Sequence, residues 1–296
     1  MLSTQNPPIA MSAHVISLLN MKGGVGKTTL AVNLAYHMSH RSGKKVLLID
    51  FDPQFNATQY VMHFTAFDAH RKSAGTIADL LIDQPLLQVS SKKKKKDVRK
   101  VIYNLYDKPA SGARLDLLPA ELTLAYIVKN PSQMDSRLIK LLEPIRKDYD
   151  FIFIDCAPTD SVLTTMALNA SNFVLTPMRP DRFSILGYYN LRETIQTFRD
   201  NCTNPNDVKE LGIVFTQVMD NSTVERQCIS EVKAAAAKSG DYVFTNALQY
   251  STSFARSIND RTPIFATAYA RDDVKNASRD IADELQTRIS TLTPSV

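Results

Sequence analysis

Short unbroken apolar runs alternate along this chain with longer stretches whose apolar residues recur every three or four positions. Residues 14–19, 45–50, 115–119, 151–155, 173–176 and 211–216 are of the first kind. Each is too short for a buried helix, and none alternates strictly with polar residues, so each predicts a strand covered on both faces. The second kind predicts helices. One occupies residues 30–40, stopped by the basic turn Arg41-Ser42-Gly43, and a short one covers 76–82. Another starts at Asn130-Pro131-Ser132 and faces inward through Met134, Leu138, Leu141 and Ile145. Ile185, Tyr188, Leu191, Ile195 and Phe198 form one stripe, and a final helix over 272–292 turns Val274, Ala277, Ile281, Leu285 and Ile289 inward. Strands and helices taking turns in this way predict a single doubly wound α/β domain over residues 13–296, with a mainly parallel sheet and helices on both faces. Residues 1–12 read as a loose tail. Residues 84–112, polar and broken by Pro85, Pro109 and Gly112, read as a surface excursion with a short helix over 97–106.

Such a sheet binds ligands beyond the carboxyl ends of its strands, and the chain's most distinctive chemistry falls there. Lys22-Gly23-Gly24-Val25-Gly26-Lys27-Thr28-Thr29 joins the first strand to the first helix. A glycine-rich turn in that context leaves successive backbone N–H groups pointing inward, and the helix N-terminus adds its positive dipole end. The pattern predicts a nucleoside triphosphate cradled by Gly23 to Thr29. Lys27 would neutralise the β- and γ-phosphates, and the Thr28 hydroxyl would ligate Mg²⁺. The common phosphate-loop pattern has a glycine where this chain has Met21, and it has no counterpart to Lys22. One lysine suffices for the cradle, so the second requires its own explanation.

Three carboxylates end strands nearby: Asp50 and Asp52 within Asp50-Phe51-Asp52-Pro53-Gln54, and Asp155 within Asp155-Cys156-Ala157-Pro158. A strand-end aspartate can simply cap the next helix, but three beside one phosphate loop suit phosphoryl chemistry. That chemistry needs a metal, a positioned water and well-placed charge. Asp155 fits the Mg²⁺ role through water and Thr28, Asp52 is suited to orient the attacking water, and Asp50 would hold the loop or a metal-bound water.

These three segments together resemble the nucleotide motifs of ParA-type ATPases, the deviant Walker-A group that also includes MinD. Weaker similarity runs through Leu117-Leu118-Pro119-Ala120, Leu175-Thr176-Pro177, Thr216-Gln217-Val218-Met219-Asp220 and Thr262-Pro263-Ile264. The resemblance implies a P-loop fold of the deviant type and a slow, Mg²⁺-dependent ATPase. It implies a homodimer closed around two ATP molecules, with Lys22 reaching into the partner's site much as an arginine finger does. It further implies binding to non-specific DNA, release when a ParB-like adaptor stimulates hydrolysis, and cargo that is a plasmid, a chromosome region or a protein assembly. Gln217, just past a strand where relatives often place a base-contacting side chain, is the expected adenine contact.

Charge sharpens this expectation only locally. The net charge is +5, yet residues 92–100 alone hold seven bases and one acid, so the rest of the chain is close to neutral. Lys92, Lys93, Lys94, Lys95 and Lys96 are therefore candidates for polyanion contact. Relatives often carry arginines in the loop after the last strand, whereas Gln249-Tyr250-Ser251-Thr252-Ser253 is uncharged. Lys233, Lys238, Arg256, Arg261, Arg271, Lys275 and Arg279 are the substitutes nearby.

Three cysteines, Cys156, Cys202 and Cys228, form no close pair, which suits a reducing cytoplasm and disfavours an iron–sulfur carrier. No apolar run approaches the ~20 residues of a membrane span, and the tail carries one base and a proline rather than a basic amphipathic anchor. A cytoplasmic protein is thus expected, and the resemblance implies one associated with the nucleoid, ahead of a MinD-like membrane-cycling regulator.

Overall fold

Neighbouring side chains of a strand point to opposite faces, so an unbroken apolar run needs a core on each side. The computed structural model, which describes residues 13–82, 96–132, 134–201, 208–219 and 221–293, supplies both. Its strands are β1 (His14–Leu18), β2 (Lys45–Phe51), β3 (Tyr103–Lys108), β4 (Ala113–Leu118), β5 (Phe151–Cys156), β6 (Phe173–Met178) and β7 (Lys209–Phe215). They form one sheet in the order β3-β4-β2-β5-β1-β6-β7, parallel throughout except for the β3–β4 pair.

The first half of the chain contributes helices α1 (Lys27–His40), α2 (Asn56–Val61), α3 (Phe64–Ser73), α4 (Ile77–Leu81), α5 (Val98–Val101) and α6 (Ala125–Lys129). The second half adds α7 (Arg137–Leu142), α8 (Val162–Ala170), α9 (Ser184–Asn201), α10 (Thr223–Ser239), α11 (Thr252–Asn259) and α12 (Asp272–Leu292). On one face, Val15, Leu47, Ile49, Ile152 and Ile154 pack with residues of α4, α6, α7 and α8. On the other, Ile16, Leu18, Val46, Leu48, Phe151 and Phe153 pack with α1, α2 and α12. Odd and even positions of each run therefore enter different cores, and this is the doubly wound arrangement that the apolar runs predict.

Two predicted helices are corrected. The helix expected over 97–106 ends at Val101, and Tyr103–Lys108 instead forms the antiparallel edge strand β3. Tyr103, Leu105 and Tyr106 are aromatic and branched residues that suit a half-covered sheet face, and they pack partly buried on the α1 side. Residues 103–108 of the excursion thus belong to the sheet. The helix expected from Asn130 is only the six residues Arg137–Leu142. Pro144 restricts the residue before it and ends the helix, yet Met134, Leu138 and Ile145 are still buried as their spacing predicts. The expected tail over 1–12, Lys92 to Lys95 and Cys202 lie outside the described residues.

β7 does not end as an open edge. Residues 242–250 run along it, with Ile213 N–H donating to the Tyr242 carbonyl at 2.9 Å and Leu248 N–H to Phe215 at 2.9 Å. Gly212 permits this approach: its φ is +133°, and a Cβ there would lie 2.5 Å from the Tyr242 oxygen. Gly212→Ala is expected to cost about 1–3 kcal/mol from backbone strain, with the clash in addition. Urea denaturation of the variant measures it, and unchanged stability would show that the strand edge can open freely.

Candidate functional site

β1 ends at Leu18 and α1 begins at Lys27, so residues 19–26, which include all three glycines of the segment, form the connection. Gly26 has the left-handed φ of +80° and is the N-cap of α1, with no side chain capping the helix. The first N–H groups of α1 thus face a cavity of about 420 Å³ lined by the loop, Asp52, Tyr60 and Pro158. The loop is held from behind by bonds to its carbonyls. Thr216 Oγ1 donates to Val25 at 2.7 Å and Gln217 Nε2 to Gly24 at 2.7 Å. Lys27 Nζ donates to the carbonyls of Asn20 at 2.9 Å and Lys22 at 3.1 Å. Lys27 is buried, and burial pulls its ammonium below the usual lysine range, opposed by Asp155, Cys156 and Asp52.

Parallel pairing sets Asp50 of β2 opposite Asp155 of β5, and both are fully buried. Asp50 Oδ2 accepts from Thr58 N–H and Thr58 Oγ1, each at 2.7 Å, so it caps α2 from a distance. Burial pushes its carboxyl up to about 7, even against those bonds. Asp155 accepts from the Thr28 hydroxyl at 2.7 Å through Oδ2, while its Oδ1 is buried without a hydrogen-bond partner. Burial and the nearby Asp50 push Asp155 up to about 8. An orphaned oxygen beside a threonine hydroxyl, with that threonine lining the cavity, fits Mg²⁺. That ion keeps several waters and takes few protein ligands. Asp52 lines the same cavity, with Oδ1 accepting from Gln54 N–H at 2.9 Å.

Lys22 does something different. Its ammonium pairs with the carboxylate of Asp181, just before α9, and lies 5.7 Å from the Phe183 ring centre. Asp181 is held for this by Phe183 N–H, which donates to its Oδ1 at 3.0 Å. Asn20 Oδ1 accepts from Lys22 N–H at 2.9 Å and Asn20 Nδ2 donates to Pro177 at 2.8 Å, so one buried amide ties the loop to β6. Neither Asn20 nor Asp181 was expected from the sequence. A polar residue ending an apolar strand, as Asn20 does, is the signal that could have found the first.

The basic candidates divide. Arg256 stacks at 4.0 Å over the Tyr269 ring and faces Asp260 at 3.7 Å. Arg261 donates to the Met62 carbonyl at 3.0 Å. Arg271, Lys275 and Arg279 pair with Asp273, Asp272 and Asp280 respectively. Lys233 and Lys238 are exposed on α10, and Lys96 is exposed beside Gly75. Burial pushes the Cys156 thiol up to about 12, leaving it unsuited to hold a cluster. A groove of about 540 Å³ between α8 and α9 has no lysine or arginine in its lining and so offers nothing to a triphosphate.

A family model described as an AAA domain matches residues 13–208. The sporulation initiation inhibitor protein Soj of Bacillus subtilis is 32% identical over 74% of this chain and 78% of its own length. The chromosome partitioning protein ParA of Myxococcus xanthus is 32% identical over 76% of this chain and 72% of its own. A solved ATP complex of Cyanothece McdA matches with a TM-score of 0.75 over 93% of this chain and 97% of that one, at 20% identity, a likeness of fold alone.

Asp155 in the folded chain, at about 8, lies well above the ~3.9 of an unfolded aspartate. Its proton therefore stabilises the nucleotide-free fold fully below about pH 4, and that stabilisation is lost as pH rises through about 8. The melting temperature is expected to fall between about pH 4 and about pH 8 and to level off above, and Asp155→Asn to flatten the fall. An unchanged slope in scanning calorimetry would mean that the carboxylate is already ionised.

Proposed function

The chain belongs to the ParA/Soj family of P-loop ATPases, and we propose that it is a nucleotide-clasped homodimer that positions a DNA or protein cargo. The observation that carries this reading is the second lysine. Lys27 already reaches the loop carbonyls that frame the cradle, whereas Lys22 stands at the lip of the same loop and is paired outward. A cation at the lip can be delivered to phosphate charge in a facing subunit, where water exclusion strengthens it. Asp181 would have to release Lys22 first. The pair is partly exposed, with side chains 41% and 29% accessible, and such pairs are worth about 0–1 kcal/mol. A triphosphate in a facing subunit outcompetes a contact of that size.

Within each site, the loop N–H groups and Lys27 would hold the triphosphate and Asp52 would orient the attacking water. Thr28 with Asp155 would hold Mg²⁺, which supplies charge neutralisation to the phosphates. Asp50 would keep α2, and hence the Asp52 loop, in place. We further propose that the ATP-bound dimer binds DNA without sequence preference through exposed lysines, with Lys233, Lys238 and Lys96 ahead of the arginines already paired with acids. A ParB-like adaptor would trigger hydrolysis and release. α12 buries Val274, Ile281, Leu285 and Ile289 within the fold, and no described helix is long and apolar enough to cross a membrane. A MinD-like membrane cycle gains no support from these elements.

Lys27→Ala is expected to abolish ATP binding, whereas Lys22→Ala should bind ATP but fail to dimerise in light scattering with ATP and Mg²⁺. Asp181→Asn should dimerise at a concentration up to about thirtyfold lower, because two exposed ion pairs of up to about 1 kcal/mol each no longer have to break per dimer. Unchanged dimerisation of Lys22→Ala would remove the trans role. For DNA, retention on a non-specific duplex should require ATP and weaken steeply with salt, because each neutralised phosphate releases counterions. Retention equal with ADP, or insensitive to salt, would count against the positioning cycle.

A further inference from the structure

Asp52 reaches the phosphate cavity from a turn with an unusual backbone. Residues 52–55, Asp52-Pro53-Gln54-Phe55, connect β2, which ends at Phe51, to α2, which begins at Asn56. The turn closes on Asp52: Phe55 N–H donates to its carbonyl at 2.8 Å and Gln54 N–H to its Oδ1 at 2.9 Å. The exit from the turn is left-handed, and Phe55 occupies it with φ +41° and ψ +43°. That region favours glycine, because a Cβ there crowds the following carbonyl oxygen, and a bulky residue in it is an outlier. Phe55, Gln217 and Arg261 are the non-glycine residues with positive φ among those described, and Phe55 alone of them carries an aromatic ring.

Such backbone persists only where its surroundings over-determine it, and here the ring is what they hold. Phe55 is half-buried and packs against the cores on both faces of the sheet. Its ring stacks on Phe67 of α3, with centres 5.6 Å apart and planes inclined by 21°, a contact that adds to the burial itself. α3 buries a single residue, and that residue is Phe67. The helix is fastened to its neighbours by His70 Nε2, 2.8 Å from the Val101 carbonyl, and by Arg71, 3.6 Å from Glu121. α3 is therefore a fixed prop whose one inward side chain meets Phe55. Phe55 does not line the phosphate cavity, whereas Asp52, Asn56, Gln59 and Tyr60 on either side of it do.

We infer that Phe55, propped by Phe67, is a positioning residue that keeps the Asp52 turn closed, an inference that rests on Asp52 orienting the attacking water. Without the stack the left-handed backbone loses its support. A right-handed or extended Phe55 turns its N–H away from the Asp52 carbonyl, the turn opens, and the carboxylate spends part of its time out of place. Asp50 fastens the same segment from the other end, through Thr58 of α2, so the displacement is confined to the turn. The triphosphate is held by the glycine-rich loop and Lys27, which do not depend on Phe55. Loss of the prop therefore lowers turnover and leaves nucleotide affinity in place.

Glycine distinguishes a held backbone from ordinary packing. Phe55→Ala and Phe55→Gly both delete the ring, but alanine keeps the left-handed penalty and glycine removes it. With saturating ATP and Mg²⁺, kcat of Phe55→Ala and of Phe67→Ala should fall about tenfold, the scale of that penalty left uncompensated. Calorimetric affinity for the non-hydrolysable analogue AMPPNP should stay at the wild-type value in both, which also shows that they are folded. Phe55→Gly should recover most of the lost rate, and adding Phe55→Gly to Phe67→Ala should raise the rate of that variant too. A glycine variant no faster than Phe55→Ala would overturn the positioning role and leave Phe55 as packing. If Phe55→Ala does not fold, the Phe67→Ala pair decides, and no gain from the added glycine overturns it equally. Asp52→Ala is run in parallel: wild-type turnover there would overturn the role of Asp52, and the role of Phe55 with it.

Discussion

Asp50 and Asp155 stand side by side at the ends of two parallel strands, both out of water, with the Lys27 ammonium and the Thr28 hydroxyl beside them. Nothing about this pairing is favourable by itself. Desolvation raises both carboxyls, with Asp52 adding to it at Asp50 and Asp50 adding to it at Asp155, and the nearby Lys27 ammonium is itself pulled down by burial. In the function proposed above, a divalent cation and a triphosphate would complete this charge set. The fold accepts the cost because the surrounding sheet is buried on both faces and is rich in leucine, isoleucine, valine and phenylalanine. A strained polar site is held in place by a large apolar one.

From that pair the other parts of the site follow by register. One strand over, β1 carries Leu18 opposite Asp155 and delivers the glycine-rich loop at the same height. β6 flanks β1 on its other side and ends near Asp181, which places a carboxylate within reach of Lys22. β7 is next, and its continuation through Thr216 and Gln217 braces the loop carbonyls. Glycine-rich loop, buried carboxylates and outward lysine thus come from adjacent strand ends, braced by the segment that continues from β7. The two lysines of one loop meet opposite fates because Lys27 is drawn into the loop's own carbonyls while Lys22 is drawn to a neighbouring strand end.

Much of this was legible in the residues. The apolar runs at 45–50 and 151–155 were strands because a doubly covered strand has no polar face to reveal, and the 3.6 period of α12 appears at its observed bounds, Asp272–Leu292. The phosphate loop was legible because its glycines and lysine are contiguous, so no folding knowledge was needed to assemble them. β3 was missed because Tyr103–Lys108 is an edge strand with a mixed pattern next to a charged run, and only pairing with β4 makes it a strand. The helix after Asn130 was overextended because burial spacing continues through Ile145 although the backbone hydrogen bonding stops before Pro144.

Local chemistry along the chain determined which residues can hold phosphates, and the alternation of runs determined that strands would deliver them to one edge. Where that chemistry is unfinished was decided only in three dimensions. Asp181 is 159 positions from Lys22, and Gln217 is 193 from the Gly24 carbonyl it braces, so no pattern along the chain could pair them. Contacts of that range exist only after parallel strands have set their ends side by side, because register, rather than residue type, fixes which side chains share a cavity.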